Sequence, residues 1–354
     1  MNLEVKSRSF SIAVVLLAAA ATDCLAQTAE PRVLSALAAY QGADRERRLV
    51  AGAQAEGEVF WYTSFTGNAY KALARAFETK YPGAKVQIYR AANKELLAKI
   101  AAENQSKRHL ADTVESTVAL LKGLRENRML VPYTTLYSAQ YPAATKQSDG
   151  RGLFYWFLHR ESYNGVGYNT TIVPPRLAPK NFADLLRPEF KGKIGFANGD
   201  TGARMIAAML KAKGEQYIQR LRNQRYSLHA ISARALADLV ASGEVELSPT
   251  ISREHAAEVR RNGGPIGWAP MELVPANAGG VAIVPNAPHP HAALLLADFI
   301  LGPAGQKIYR DLDFASPTKD LGFKRLYPET GFTSLEYDAQ LECWLKLLRD
   351  NGQK

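Results

Sequence analysis

The chain has 354 residues, a formal net charge of +10, 47% hydrophobic residues and two cysteines. This composition excludes a disordered or disulfide-stapled protein, and the length exceeds what one core usually organises, so two lobes are expected. Lys and Arg are scattered singly and in pairs such as Arg47 and Arg48 or Arg260 and Arg261, without a long basic tail, which favours a small anionic molecule over nucleic acid as the partner.

At the start, Lys6 and Arg8 precede an apolar run from Phe10 to Ala21, and small residues lead to Ala26, with Cys24 at the minus-three position. The pattern reads as a secretory signal peptide over residues 1–26, with the mature chain beginning near Gln27. The run falls short of the roughly 18–20 apolar residues that span a bilayer, and Asp23 is a poor neighbour for lipid attachment at Cys24. Cys24 leaves with the leader and Cys343 stays alone, which excludes an internal disulfide.

An Ala-rich helix is predicted over residues 34–55, after which Gly57 opens EVFWYTSF, a buried strand ending in hydroxyl residues. Tyr70, Leu73, Phe77 and Tyr81 recur at helical spacing over 68–81, and Pro82 with Gly83 stops them. VQIYR and residues 94–104 form a second strand and helix, DTVES and 118–126 a third pair. Strand then helix three times over argues for an α/β lobe with a mostly parallel sheet. The stretch LFYWFLHRESYNGVGYN holds a buried strand up to Leu158 and then a glycine-punctuated run, 165–169, which marks a passage between lobes. The second lobe starts with the turn VPPRLAPK and a short helix at 182–186. Next come the strand GKIGFAN, helices at 202–213, 217–223 and 232–242, and the strand VELSP. GWAPMELVPANAGGVAIVP reads as a return strand, with VAIV apolar throughout, as a strand covered on both faces should be. Two helices separated by Gly302 and Pro303 follow, and a last helix covers about 335–348.

In an α/β sheet, ligands collect at the carboxyl ends of strands. Four such ends carry suitable residues: Thr63, Ser64 and Thr66; Glu115, Ser116 and Thr117; Thr201, Gly202, Ala203 and Arg204; Thr250, Ser252 and Arg253. The sharpest is NGDTGARMI, where a glycine-bearing turn enters a helix. Free N–H groups and the positive helix end favour an anion there, and Arg204 adds a bidentate fork. The competing reading is an N-cap by Asp200 or Thr201 with a solvated arginine. Ser232 reads as a contact or, more simply, as the cap of its own helix, with Arg234 solvated. Arg160 is either a cleft cation or half of an edge-of-sheet salt bridge, and Glu115 is expected to pair with an arginine. His289 and His291 have an H-x-H spacing without a third ligand nearby, so capping and turn formation are expected over metal. G-x-S-x-G, H-E-x-x-H, P-loop and dinucleotide fingerprints are missing, so no catalytic residue, cofactor or metal is assigned.

The order GEVFWYTSF, AFETKYPGAKVQIYR, ADTVES, GLRENRMLVPY, YNGVGYNT, FADLLRPEFKGKIGFAN, SARALADLVASGEVEL, APHPHAALLLADFILGPAGQKI resembles the extracellular solute-binding proteins of ABC importers, family 1. The likeness is to the branch with ferric-ion, thiamine, spermidine, phosphonate and sugar-phosphate binders. It implies the α/β, bilobal periplasmic-binding-protein fold of type II, two mixed sheets with flanking helices joined by two hinge strands that close over one ligand. On this chain, residues 57–163 and 279–309 become lobe 1, 164–278 lobe 2 and 310–354 a C-terminal helical segment, with hinges near 163–168 and 278–282. The resemblance further implies a monomer in the periplasm, an ABC permease in the inner membrane as partner, and no catalysis.

Ferric members resemble one another in holding the metal with two adjacent tyrosines after the strand matching VELSP, plus a histidine and a glutamate from the first lobe. Here the tyrosine pair is replaced within PTISRE, the histidine position falls near Thr66 and the glutamate position near Thr117. Ser and Thr hydroxyls do not replace phenolates and a carboxylate on a hard ferric ion. DTGAR, by contrast, resembles the anion-holding turn of those members. Thiamine and polyamines need acidic or aromatic cages around a cation, which only Glu115 is placed to build. The expected ligand is therefore an anionic carboxylate, phosphonate or phosphate ester, held by Thr63, Ser64, Thr66, Ser116, Thr117, Arg160, Thr201, Gly202, Ala203, Arg204, Ser232, Thr250 and Ser252. The alternatives are a ferric carrier with a non-standard ligand set and a sensory module presenting a liganded surface to a membrane receptor.

Overall fold

The computed structural model describes residues 33–65 and 69–352; the predicted leader, Cys24 and Thr66 lie outside the described residues. The first lobe runs α1 (Arg45–Glu56), β1 (Glu58–Thr63), α2 (Ala69–Lys80), β2 (Lys85–Arg90), α3 (Asn93–Ser106), β3 (Thr113–Thr117) and α4 (Val118–Glu126), the alternation read from the sequence. After β4 (Lys146–Ser148) and β5 (Phe154–Asn169), the second lobe contributes β6 (Gly195–Ala197), α5 (Asp200–Lys213), α6 (Glu215–Arg222), β7 (Ser227–His229), α7 (Ala233–Ser242), β8 (Leu247–Ser252), α8 (Arg253–Arg261) and β9 (Ile266–Ala269). The chain returns through β10 (Val274–Ile283) to α9 (Pro290–Leu301) and α10 (Pro303–Asp311), then continues into β11 (Arg325–Leu326) and α11 (Ser334–Asn351).

The first predicted helix is interrupted. Residues 33–39 are helical, and α1 starts only at Arg45. Arg45 is 1% exposed and caps the broken end, donating to the Leu37 and Tyr40 carbonyls at 2.9 and 2.5 Å while its Nε pairs with Asp298 at 2.8 Å. A buried guanidinium that satisfies orphan helix carbonyls explains the break.

β2, β1 and β3 are parallel, but β10 runs antiparallel to β3 and to β5, and β4 antiparallel to β5. The sheet is thus mixed instead of mostly parallel. Its antiparallel pairs come from the strands that cross between lobes. β5 is one strand of 16 residues, longer than predicted. Its first half pairs with β10 and its second half with β8 and β9. Gly165 and Gly167 do not break it. A Cβ at Gly165 would lie 2.5 Å from the Ala269 carbonyl oxygen, and one at Gly167 2.6 Å from Ile251, so these glycines permit close strand approach. The predicted return strand is two strands, β9 and β10, and α8, absent from the sequence reading, buries Ala256, Ala257 and Val259.

One core joins Trp61, Phe77, Leu121 and Phe157 with Val281, Ile283 and the α9 leucines. A second joins Phe182, Phe196, Met205, Ile206 and Leu247 with Tyr337, Trp344, Leu345 and Leu348 of α11. Burial of each large apolar side chain contributes roughly 1.5–3 kcal/mol, which fixes α11 on α5. The segment leading to α11 is tied to the first lobe instead. Lys122 Nζ of α4 donates to the Glu329 and Phe332 carbonyls at 2.8 and 2.6 Å, and Ser334 Oγ donates to Glu126 at 2.8 Å. Among the described residues no helix is long and apolar enough to cross a membrane.

Candidate functional site

The parallel register that pairs Thr63 with Glu115 brings the carboxyl ends of β1 and β3 together. Ser64 Oγ and Ser116 Oγ stand 2.7 Å apart, Ser116 Oγ donates to Asn93 Oδ1 at 2.9 Å, and Asn93 Nδ2 donates to Thr117 Oγ1 at 2.8 Å. Thr117 is the extended N-cap of α4, yet its hydroxyl makes no cap bond. The first N–H groups of α4 therefore keep no side-chain acceptor.

Beneath this rim lies a buried ionic group. Glu115, fully buried, accepts from Thr63 Oγ1 and from Arg160 Nη2 at 3.2 Å, while His159 Nε2 lies 3.2 Å from the same carboxylate. The pairing of Glu115 with an arginine is thus present. Burial pushes the Glu115 carboxyl up, but Arg160, His159 and Thr63 outweigh it and hold the group below its ordinary value. Burial lowers His159, against the pull of Glu115. The Arg160 guanidinium stacks 3.9 Å over the Phe65 ring and lies against Gly279, where a Cβ would stand 2.7 Å from its Cζ. Gly279 is the residue type that leaves room for it.

On the second lobe, Thr250 Oγ1 accepts from Ala197 N at 3.0 Å and shares a bond with Ser248, and Ser252 Oγ donates to Asn164 Oδ1 at 2.9 Å. These hydroxyls join β6, β8 and β5. α5 begins inside NGDTGARMI with Gly199 as its N-cap, so Asp200 and Thr201 are helical residues and neither caps it. Gly202 faces the second-lobe interior. A Cβ there would lie 2.2 Å from the Ala197 carbonyl oxygen and 2.6 Å from Leu348. Ala203 is fully buried, and Thr201 is half-buried. Arg204, 9% exposed, donates from Nε to the Tyr337 hydroxyl at 3.2 Å. Burial pushes its pKa down, and Tyr337, Asp200 and Glu329 more than offset this.

The two lobes meet around a small cavity lined by Thr117, Val118, Ala119, Arg204, Asn277, Ala278, Glu329 and Tyr337. Of the predicted residues, Thr117 and Arg204 meet there, and Ser64 and Ser116 stand beside Thr117. Thr63, Thr250 and Ser252 are buried with partners inside their own sheets, and Arg253 opens α8. Ser232 is an exposed N-cap that accepts from Ala235 N at 3.1 Å, and Arg234 pairs with Asp238 and Glu258. His289 and His291 flank the start of α9 and pair with Asp112 at 2.9 Å and Glu56 at 2.6 Å. A shallow hollow beside Tyr137 and Gly302 lies on the outside of the first lobe, away from every strand end considered above. Asn93, Glu329 and Tyr337 were not among the predicted site residues. The spacing of Tyr337, Trp344, Leu345 and Leu348 signals a buried stripe, but no local pattern says which surface it covers.

The family model for bacterial extracellular solute-binding proteins matches residues 59–312. No curated protein matches in sequence. Iron-bound HitA from Pseudomonas aeruginosa is similar at 21% identity and a TM-score of 0.63, over 84% of this chain and 99% of that one. AfuA from Actinobacillus pleuropneumoniae, with fructose-6-phosphate bound, is similar at 22% identity and a TM-score of 0.64, over 83% and 99%. FutA from Trichodesmium, in complex with iron and citrate, gives 19% and 0.64, over 84% and 100%. At these identities the likeness carries the bilobal type II fold.

Proposed function

The chain belongs to the bacterial extracellular solute-binding proteins, non-enzymatic carriers that serve ABC permeases, and from that premise we propose that its cargo is a small anionic organic solute bound between the lobes. The observation that carries this reading is Arg204, whose buried guanidinium lines the interlobe cavity opposite the open first turn of α4. A fixed cation and unpaired N–H groups in a site of reduced dielectric favour negative charge. The second-lobe strand end that carries phenolates in ferric members presents Thr250 and Ser252, both engaged in bonds within the sheet. This donor set supports an organic anion over a bare ferric ion.

The proposed working set is Ser64, Ser116, Thr117, Thr201 and Arg204, with Arg160 beneath as electrostatic support. The test is a thermal-shift and calorimetric screen of the mature protein against small carboxylates, phosphonates and phosphate esters, with ferric ion as control. Arg204→Ala is expected to weaken the best ligand ten-fold or more, in keeping with about 1.5–3 kcal/mol for a charge-assisted bond. Affinity unchanged in Arg204→Ala, or stabilisation by ferric ion alone, would refute the reading.

A further inference from the structure

The interlobe cavity has two poles. Arg204 and the first turn of α4 supply the positive one, and Glu329 in the same lining supplies the negative one. Glu329 is 6% exposed; burial pushes its carboxyl up, and its own backbone N–H and the charges of Arg204 and Lys122 pull the other way. Arg204 spends its Nε on Tyr337 and feels the charge of Glu329 without forming an ion pair with it. A nine-tenths buried carboxylate that forms no ion pair is costly unless something in the space before it supplies one.

Glu329 is also fixed in place. Lys122 holds its carbonyl at 2.8 Å and that of Phe332 at 2.6 Å, Thr333 and Glu336 close a capping box, and α11 is packed on α5. The carboxylate is therefore held in the wall of the cavity in this structure.

Building on the anion reading above, we propose that the cavity is built for a zwitterion: a small solute whose acidic group meets Arg204 and the start of α4 and whose ammonium group, a few atoms away, meets Glu329. Asn277, half-buried in the same wall, is placed to take a hydrogen bond from the middle of such a molecule.

Matched probes test this on the full mature chain. β-Alanine is compared with propionate, and 2-aminoethyl phosphate with ethyl phosphate, by calorimetry on the wild type and on Glu329→Gln. The expected result is a preference of at least ten-fold for the ammonium-bearing member of one pair, reduced to less than three-fold in Glu329→Gln, with the plain anion little changed. The wild-type preference needs no variant, so a misfolded substitution does not shield the idea. Anions bound equally with and without the ammonium group, or a preference that survives Glu329→Gln, overturn the zwitterion and leave the anion reading intact. A ten-fold gain in plain-anion affinity in Glu329→Gln also overturns it, by showing the carboxylate to be an internal competitor. Silence of both pairs overturns it too, while the anion reading stands or falls on its own screen with Arg204→Ala.

Discussion

Glu115→Ala is expected to destabilise the protein by about 3–5 kcal/mol, because it strips a fully buried carboxylate from two cationic or donor neighbours and a hydroxyl. At 3.2 Å and an effective dielectric of about 20, the attraction between Arg160 and Glu115 is about 5 kcal/mol before desolvation is counted. Without Glu115 the arginine remains 5% exposed, pressed between Phe65 and Gly279, with no acceptor. Replacing both partners, as in Glu115→Gln with Arg160→Met, removes the stranded charge. The pair should then lose about 1–3 kcal/mol less than the sum of the single changes. Urea unfolding followed by circular dichroism at pH 7 measures Glu115→Ala, the single changes Glu115→Gln and Arg160→Met, and the double variant. The same group sets an acid limb. The folded Glu115 carboxyl lies below its reference value of 4.5, so its contribution is complete above that pH and is lost as pH falls through the folded value. His159 is likewise lowered from 6.5, so folding opposes its protonation and stability declines from about pH 6.5 downward. Glu115→Ala should flatten the lower part of that decline. A loss below about 1 kcal/mol in Glu115→Ala, or strict additivity in the double variant, would refute a coupled buried pair and return Arg160 to the role of a free cleft cation.

Gly202→Ala should cost about 1–3 kcal/mol in the same unfolding assay, since its Cβ would meet the Ala197 carbonyl oxygen at 2.2 Å and neither backbone has room to yield; an unchanged midpoint would mean that α5 shifts freely. Ser232→Ala should cost about 1 kcal/mol by removing the cap on Ala235 N, while calorimetry of the best ligand stays within two-fold of wild type. A ten-fold affinity loss there would put Ser232 in the site instead.

The strand-helix alternation of the first lobe was readable because each unit is local. Apolar runs, helical spacing and the Pro82–Gly83 stop all lie within a dozen residues of the element they define. The break before α1 was not readable, since it depends on Arg45 reaching Asp298, a partner 253 positions away. Gly165 and Gly167 were read as a passage between lobes after a strand ending at Leu158; the strand β5 in fact continues through them, with Ala269 and Ile251 pressing on it from neighbouring strands. The site shows the same division. Strand ends and the helix start at NGDTGARMI are visible in one dimension, as is the tendency of Glu115 to seek an arginine. That Arg204 is held by Tyr337 and watched by Glu329 depends on where a C-terminal segment lands, which packing of α11 on α5 decides.

Closure of the two lobes over a solute has to bend three connections, β5, β10 and the segment into α11. The ladders already depart from regular register at Gly279 and Gly280 in β10 and between Gly165 and Gly167 in β5, and such irregular points bend at lower cost than an unbroken ladder. The third connection is unequal at its two ends. α11 is joined to the second lobe by Tyr337, Leu345 and Leu348, whose apolar burial water cannot replace. The link to the first lobe consists of polar bonds from Lys122 and Glu126 to residues 329–334, each of which water replaces at a net cost of about 0.5–1.5 kcal/mol. If the second lobe moves on closure, α11 and Arg204 are expected to move together and the polar link at residues 329–334 to give way first, which would change the separation of Arg204 and Glu329.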